Sequence, residues 1–200
     1  AVILYQPTAS FKKVYDLLNQ KSLNTWTITG KNTDFNFLNK QQPFFTFKMS
    51  HQMEDYLPLE NESFNAFSYV DFALSQMPPL QNLYGNIESK VNSNVLLWSK
   101  IRNIDTNMPL LTMVENGSSR HAFLFGENIW KWRLYSNFNT ESFEPFDLFV
   151  DKIVQYLSTK ETKKALVVTH ENFYNSGDLI EIDAQFFDKN FEFSDKANLS

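Results

Sequence analysis

The fold is decided by the stretch Arg120-His121-Ala122-Phe123-Leu124-Phe125-Gly126-Glu127-Asn128-Ile129-Trp130-Lys131-Trp132-Arg133-Leu134. Its first six residues predict a β-strand, Gly126 permits a sharp turn, and residues 127–136 predict a short helix. Upstream, the apolar residues 110–114 predict a second strand, and Asn116-Gly117 is a dipeptide typical of tight hairpin turns. The sequence therefore predicts a β-hairpin over residues 110–125 that runs directly into a helix.

The amino-terminal segment predicts a βαβ unit. Residues 1–5 are an apolar run that we expect to form a strand buried on both faces of a parallel sheet. Residues 8–20 have apolar positions at helical spacing, residues 25–29 form a second strand, and residues 30–34 turn into a short helix at 35–39. This order of elements favours a parallel sheet with a right-handed crossover.

The rest of the chain divides into an irregular segment and a carboxyl-terminal part. Four prolines interrupt residues 40–92, which we expect to be extended segments and short helices over one end of the sheet. Residues 94–101 predict another strand, and residues 142–159 predict the longest helix. We expect residues 1–172, which close with a strand at 165–169, to form one α/β domain. The alternation at 179–184 places the start of a β-rich extension in residues 173–200.

The composition excludes several classes of function. The 200 residues carry a formal net charge of −5, so a general nucleic-acid-binding surface is not expected. The chain holds no cysteine, which removes disulfides, thiolate metal sites and cysteine nucleophiles. No apolar run reaches the length of a membrane span.

The three histidines do not have the spacing of metal ligands. His51, His121 and His170 lie far apart in the sequence, so we expect neither a metal nor a cofactor. His121 stays a candidate catalytic residue, because a catalytic triad has no fixed order along a chain. No nucleophile elbow of the form G-x-S-x-G is present.

The turn after the second predicted strand is the first candidate site. Such turns place side chains and free N–H groups at the carboxyl end of a parallel sheet, where ligands bind in this class of fold. Lys31, Asn32 and Thr33 are the candidate ligand-binding residues there, and Asp34 is a candidate catalytic residue. The simpler interpretation is a turn in which Thr33 or Asp34 caps the following helix.

The residues after Gly126 are the second candidate site. Glu127 is expected at the start of a helix, where a carboxylate suits the helix dipole, and Arg133 is a candidate anion-binding residue. In a functional interpretation, Glu127 is the acid or base of a pocket wall. In a structural interpretation, the segment anchors the helix to the sheet, and a fully buried Trp130 predicts that Trp130→Ala destabilises the fold by about 3–5 kcal/mol.

A family resemblance is carried by two segments, Thr25-Trp26-Thr27-Ile28-Thr29-Gly30-Lys31-Asn32-Thr33-Asp34-Phe35-Asn36-Phe37-Leu38-Asn39 and Phe125-Gly126-Glu127-Asn128-Ile129-Trp130-Lys131-Trp132-Arg133-Leu134. A third segment, Phe149-Val150-Asp151-Lys152-Ile153-Val154-Gln155-Tyr156-Leu157, fits the same pattern. They resemble a group of large Bacteroidetes membrane proteins, often with a von Willebrand A-like region, whose periplasmic domain has the class I glutamine amidotransferase-like (flavodoxin-like) fold. The resemblance implies a three-layer α/β sandwich with a β-rich tail, on the periplasmic side of the inner membrane. If the first strands of such a fold lie upstream of Ala1, this chain holds only part of the sheet.

The resemblance also implies a limit on activity. Class I amidotransferases attack an amide with a cysteine on the strand–turn–helix elbow, and the matching elbow here is Gly30-Lys31-Asn32 in a chain without cysteine. We therefore expect a non-catalytic binding or assembly domain of a membrane-anchored envelope protein. Its expected partners are other envelope proteins or the rest of its own chain.

Two alternative functions stay open. A hydrolase without a cysteine would use Glu127, Arg133, Asp34 or His121, and these groups would then converge in one cleft within about 10 Å. A carbohydrate-binding module would present an exposed aromatic platform, for which the aromatic content of 16% supplies the residues.

Overall fold

The computed structural model describes residues 1–69, 73–158, 166–170 and 182–186. The chain divides into two compact units, Ala1–Lys160 and Glu161–Ser200. The first unit is a mixed α/β fold, with a curled seven-stranded mixed sheet and four α-helices among its described residues. The expected α/β class is therefore confirmed.

The strands of the first unit lie in the sheet in the order β1-β2-β7-β6-β5-β3-β4. Their bounds are β1 (Val2–Tyr5), β2 (Thr25–Ile28), β3 (Phe45–Glu60), β4 (Leu80–Ser89), β5 (Asn94–Ile101), β6 (Ile104–Asn116) and β7 (Ser119–Leu124). The α-helices are α1 (Lys12–Lys21), α2 (Phe35–Gln41), α3 (Trp130–Thr140) and α4 (Glu144–Ser158), and short 3-10 helices cover Ala9–Phe11 and Leu74–Gln76.

Three neighbouring strands, β1, β2 and β7, are parallel. Thr25, at the start of β2, pairs with Val2 on one side and with His121 on the other. Because α1 connects β1 to β2, the predicted βαβ unit is confirmed. Helix α1 ends where Ser22 adopts the left-handed backbone conformation, with φ +47°.

The expectation that β1 is buried on both faces was wrong. β1 is the edge strand of the sheet, with Leu4 buried but Ile3 and Tyr5 more than half exposed. Helix α1 packs on the face that holds Leu4 and Thr27, where the side chain of Tyr15 is buried. An apolar run of five residues therefore predicts a strand here, but it does not show how many faces of that strand are buried.

Helix α4 covers the opposite face of the parallel strands. Successive residues of a strand point to opposite faces, so Arg120 lies on the face opposite His121. The guanidinium of Arg120 donates to the backbone carbonyl of Tyr156 in α4 at 3.1 Å and lies 4.8 Å from the centre of that ring. Helices on both faces thus enclose the ends of β2 and β7.

The predicted irregular segment contains two long strands instead. β3 pairs with β4 along most of its length and with β5 through its last four residues, so the sheet curls at this strand. Phe45 lies 4.9 Å from Phe123 and 5.1 Å from Phe125, ring centre to ring centre. The curl therefore brings the start of β3 over the end of β7 and closes an aromatic core.

The predicted hairpin and the predicted longest helix are both confirmed. β6 and β7 pair antiparallel and turn at Gly117, whose φ of +60° suits a tight turn. Helix α4 buries Phe146, Phe149, Ile153 and other apolar residues at helical spacing.

Helix α3 begins later than predicted, and this changes which indole is buried. Asn128 has φ +74°, and backbone hydrogen bonds hold Glu127 beside Gln81, so the helix starts at Trp130. Trp132 is 0% exposed and its indole N–H donates to the carbonyl of Pro78 at 2.7 Å, whereas Trp130 is 57% exposed. The expectation of a fully buried Trp130 was wrong, and Trp132 is the anchor.

The second unit contains an antiparallel pair among its described residues, β8 (Leu166–His170) and β9 (Ile182–Phe186). The strand predicted at 165–169 corresponds to β8, and the alternating residues at 179–184 overlap β9. Within the described parts of the chain, no helix combines the length and the apolar character that crossing a membrane requires.

Candidate functional site

Three residues meet where the parallel strands end. Gln6 directly follows β1, Gly30 lies two residues after β2, and Glu127 lies three residues after β7. Because these strands are parallel, their carboxyl ends share one edge of the sheet, which is the usual ligand-binding edge of open α/β sheets. We call Gln6, Gly30 and Glu127 the edge cluster.

Gln6 holds the edge cluster together. It is buried, its backbone φ is +46°, and its side-chain amide donates a hydrogen bond to Oε2 of Glu127. Its side-chain oxygen accepts from the backbone N–H of Asn32 at 2.9 Å. One side chain therefore ties the turn after β2 to the segment after β7, and a left-handed conformation, uncommon for glutamine, aims it there.

Gly30 is required by the closeness of its neighbours. A Cβ atom at this position would lie 2.8 Å from Nε2 of Gln6, 2.8 Å from Cβ of Glu127 and 2.9 Å from its Oε2. These separations are shorter than van der Waals contact, so a side chain at this position would force Gln6 and Glu127 to shift. The space beside Gly30, the first residue of the matching elbow, is thus filled by the side chains of Gln6 and Glu127.

The turn after Gly30 is a capped turn, as the simpler interpretation predicted. The N–H of Gly30 donates to Oγ1 of Thr33 at 2.9 Å, and Oδ1 of Asp34 accepts from the N–H of Phe37 at 2.9 Å to cap α2. The side chains of Lys31 and Asn32 point outward and are exposed. The four residues proposed in this turn therefore lie together, but two of them serve the backbone.

Glu127 does not begin a helix. Its backbone exchanges hydrogen bonds with Gln81, at 2.8 Å and 3.3 Å, and its side chain is buried in the edge cluster. Next to this bridge, the fully buried Asn82 donates to Oγ1 of Thr29 at 3.0 Å and to the carbonyl of Phe125 at 3.3 Å. The start of β4 thus covers the same edge of the sheet. The expectation that Glu127 lies at the start of a helix was wrong.

His121 lies at the other end of the parallel strands. Its Nδ1 lies 2.8 Å from Oγ1 of Thr25 and its Nε2 lies 3.1 Å from Oγ of Ser119. Burial lowers the pKa of His121 to about 4, so its ring is neutral at neutral pH. Glu127 follows the opposite, carboxyl-terminal end of β7.

Arg133 is engaged in an ion pair on the protein surface. Its guanidinium donates two hydrogen bonds to the carboxylate of Asp147, at 2.8 Å and 2.9 Å, and lies 4.1 Å from the centre of the Phe143 ring. This contact raises the pKa of Arg133 and lowers the pKa of Asp147. Arg133 therefore links α3 to α4 through Asp147 and lies outside the edge cluster.

The candidate groups of the hydrolase hypothesis are not all in one place, because His121 lies at the opposite end of the parallel strands from Glu127 and Arg133 pairs with Asp147 on the surface. Glu127 is in the edge cluster, His121 is at the opposite end of β7, and Asp34 caps α2. Among the described residues, no group of three or more His, Cys, Asp or Glu side chains is arranged to hold a metal ion. The carboxylate of Glu127 has an amide and a glycine beside it, so its evident role is to accept a structural hydrogen bond.

Sequence reasoning missed Gln6 and Asn82. The available signal for Gln6 was its place directly after an apolar strand of a βαβ unit, where the carboxyl edge lies. No family model, curated protein or solved structure matches this chain.

Proposed function

We propose that this chain is a non-catalytic binding or assembly domain with a flavodoxin-like or class I amidotransferase-like fold. We place it in a membrane-anchored bacterial envelope protein, on the periplasmic side of the inner membrane. The observation that carries the proposal is the closed carboxyl edge, where Gln6 and Glu127 fill the space above Gly30. An enzyme of this fold class would keep that space open for substrate.

A second observation supports a binding role. Trp130, Leu134 and Phe138 follow one another at intervals of four residues on α3, so they form one stripe along the helix. All three are more than half exposed, and Phe138 is 82% exposed. A continuous stripe of exposed large apolar side chains, two of them aromatic, is typical of surfaces that contact other proteins. We call these three residues the α3 stripe.

The absence of catalysis is tested by assaying the purified domain with glutamine, a nitrophenyl ester and nitrophenyl glycosides. We expect the rates to equal those of the Glu127→Gln variant and of buffer. Turnover that disappears in Glu127→Gln or in a His121 variant would overturn the proposal, because it would place chemistry at one of these groups.

The binding role is tested with a variant in which all three residues of the α3 stripe are serine. We expect retention of envelope proteins by the immobilised wild-type domain to be lost in this variant. Asn139→Ser, also exposed on α3, is the matched control and should retain them. Equal retention by all three proteins would show that the α3 stripe is not the binding surface.

Carbohydrate binding is a second candidate, favoured by the exposure of Trp130. An exposed indole is the kind of platform on which a sugar ring stacks, and Trp130 donates only to the nearby side chain of Asn128, at 3.2 Å. Titration with soluble glycans should then shift the fluorescence of the wild type but not of Trp130→Phe. No change in the fluorescence of either protein would contradict carbohydrate binding at Trp130 and would leave protein binding as the proposed function.

A further inference from the structure

The structure contains a cavity at the amino-terminal end of the parallel strands, away from the edge cluster. It has a volume of about 130 Å³ and is lined by side chains of α1, β2, β7 and the segment before β3. Thr27, His121 and Phe123 belong to the sheet face behind it, and Phe44 lies 4.7 Å from the ring of His121, centre to centre. For scale, an engineered cavity of about 150 Å³ accommodates benzene.

The hydrogen bonds of His121 fix its tautomer and leave it uncharged. The hydroxyl of Ser119 gives its proton to the carbonyl of Asn116 at 2.9 Å, so it accepts from the Nε2–H of His121. The Nδ1 atom then accepts from the hydroxyl of Thr25. A neutral imidazole with its proton on Nε2 makes both of these hydrogen bonds. A second proton on Nδ1 would have no acceptor unless the hydroxyl of Thr25 rotated to point its own proton elsewhere.

The rest of the lining is polar but carries no charge. No Asp, Glu, Lys or Arg lines the cavity. The side-chain amides of Asn19, Gln41 and Asn116 line it, and none of the three makes a hydrogen bond to the residues that the structure describes. Each amide offers both a donor and an acceptor.

We propose that this cavity binds a small uncharged molecule, about the size of one six-membered ring and bearing amide or hydroxyl groups. The apolar parts of Phe44 and Phe123 contact the ring, and the amides at the opening pair with its polar groups. A charged ligand would lose its hydration without gaining an opposite charge, which is unfavourable in a site of this kind. The proposal is independent of the binding role assigned to the α3 stripe.

The test uses three probes of nearly the same shape: neutral benzamide, anionic benzoate and cationic benzamidinium, with glucose as a saturated neutral ring. Binding is followed by NMR at pH 7, through the signals of the His121 imidazole and the backbone of Thr25 and Ser119. We expect benzamide or glucose to shift these signals with a millimolar dissociation constant. Benzoate and benzamidinium should bind at least about tenfold more weakly, a difference of about 1.4 kcal/mol.

A pair of variants on α1 separates the cavity from the rest of the surface. Asn19→Phe places a ring at the opening, and Gln20→Phe places the same ring at the next exposed position, which does not line the cavity. We expect Asn19→Phe to abolish the shifts and Gln20→Phe to leave them unchanged. Shifts of equal size with all three benzene probes, or none from the neutral probes at tens of millimolar, would overturn the proposal.

Discussion

The side-chain amide of Gln6 donates to the carboxylate of Glu127, although 121 residues separate them in the sequence. The two residues follow β1 and β7, which flank β2 in the sheet. Their hydrogen bond crosses the end of β2 directly above Gly30. The pair therefore closes the edge of the sheet and at the same time fixes the spacing of three strands.

Loss of the Gln6 side chain should be more damaging than neutralising its partner. Gln6→Ala leaves the buried carboxylate of Glu127 without this donor and the N–H of Asn32 without its acceptor, so we expect destabilisation of about 2–4 kcal/mol. Glu127→Gln keeps an oxygen that accepts from Gln6 and should lose about 1 kcal/mol or less. Urea denaturation of both variants gives the comparison, and equal losses would contradict this account of the pair.

A methyl group at Gly30 should destabilise the domain. Gly30→Ala forces Cβ against Gln6 and Glu127, and overpacking of this kind costs about 1–3 kcal/mol. Lys31→Ala, at the adjacent exposed position, is the control and should change stability by less than about 0.5 kcal/mol. Thermal and urea denaturation measure both. A Gly30→Ala protein as stable as the wild type would mean that the edge cluster has room to move apart.

The two tryptophans of α3 should respond very differently to truncation. Trp132→Ala removes a fully buried indole and its hydrogen bond to Pro78, so we expect a loss of about 3–5 kcal/mol. Trp130→Ala removes an exposed indole and should cost less than about 1 kcal/mol. A larger loss for Trp130→Ala would mean that Trp130, and not Trp132, lies on the buried face of helix α3.

Burial of His121 should make the domain sensitive to acid. Its pKa of about 4 in the folded protein lies below the ordinary value of 6.5, so between these values the unfolded chain binds the proton more tightly. Stability is therefore unaffected by His121 above about pH 6.5 and falls as the pH drops towards 4. Between pH 7 and pH 4.5, the wild type should lose on the order of 2 kcal/mol more than His121→Gln. Parallel pH profiles would indicate that the histidine is solvated.

The surface ion pair should be visible in the titration of Asp147. Arg133 holds the pKa of Asp147 below its ordinary value, chiefly through the hydrogen bonds between them. In Arg133→Gln, the pKa of Asp147 measured by NMR should rise towards the ordinary value. The contribution of a depressed carboxyl pKa is present at neutral pH and is lost as the pH falls, so the variant should also show a weaker acid dependence. An unchanged pKa of Asp147 would show that Arg133 does not contact this carboxylate in solution.

Several elements of the fold could be predicted because their sequence signals are local. The hairpin turn at Gly117, the helical spacing of α4 and the capping position of Asp34 each depend on residues close together in the chain. The long strand β3 could not be predicted in this way. Its middle residues, near Met49 and Met53, are largely exposed and interrupt the pairing register with β4, so they show no alternating pattern.

The candidate site was harder to predict, because it depends on contacts between distant segments. Nothing near residue 127 indicates that Gln81 will hold Glu127 out of the helix, yet this bridge shifts the start of α3 and exchanges the roles of Trp130 and Trp132. Equally, no local pattern shows that Gln6 fills the space above Gly30. The turn residues were predicted in the right place, and the side chains that close the turn were not.

The strand order also has a consequence for the time course of folding. β2 pairs on one side with β7, and Thr25 and His121 are separated by 96 residues. A growing chain adds about 5–20 residues per second, so β2 waits roughly 5–20 seconds on the ribosome before its partner has been synthesised. During that interval its hydrogen-bonding edge is unpaired. The edge of β2 that will later pair with β7 is therefore a site where a chaperone can protect the growing chain.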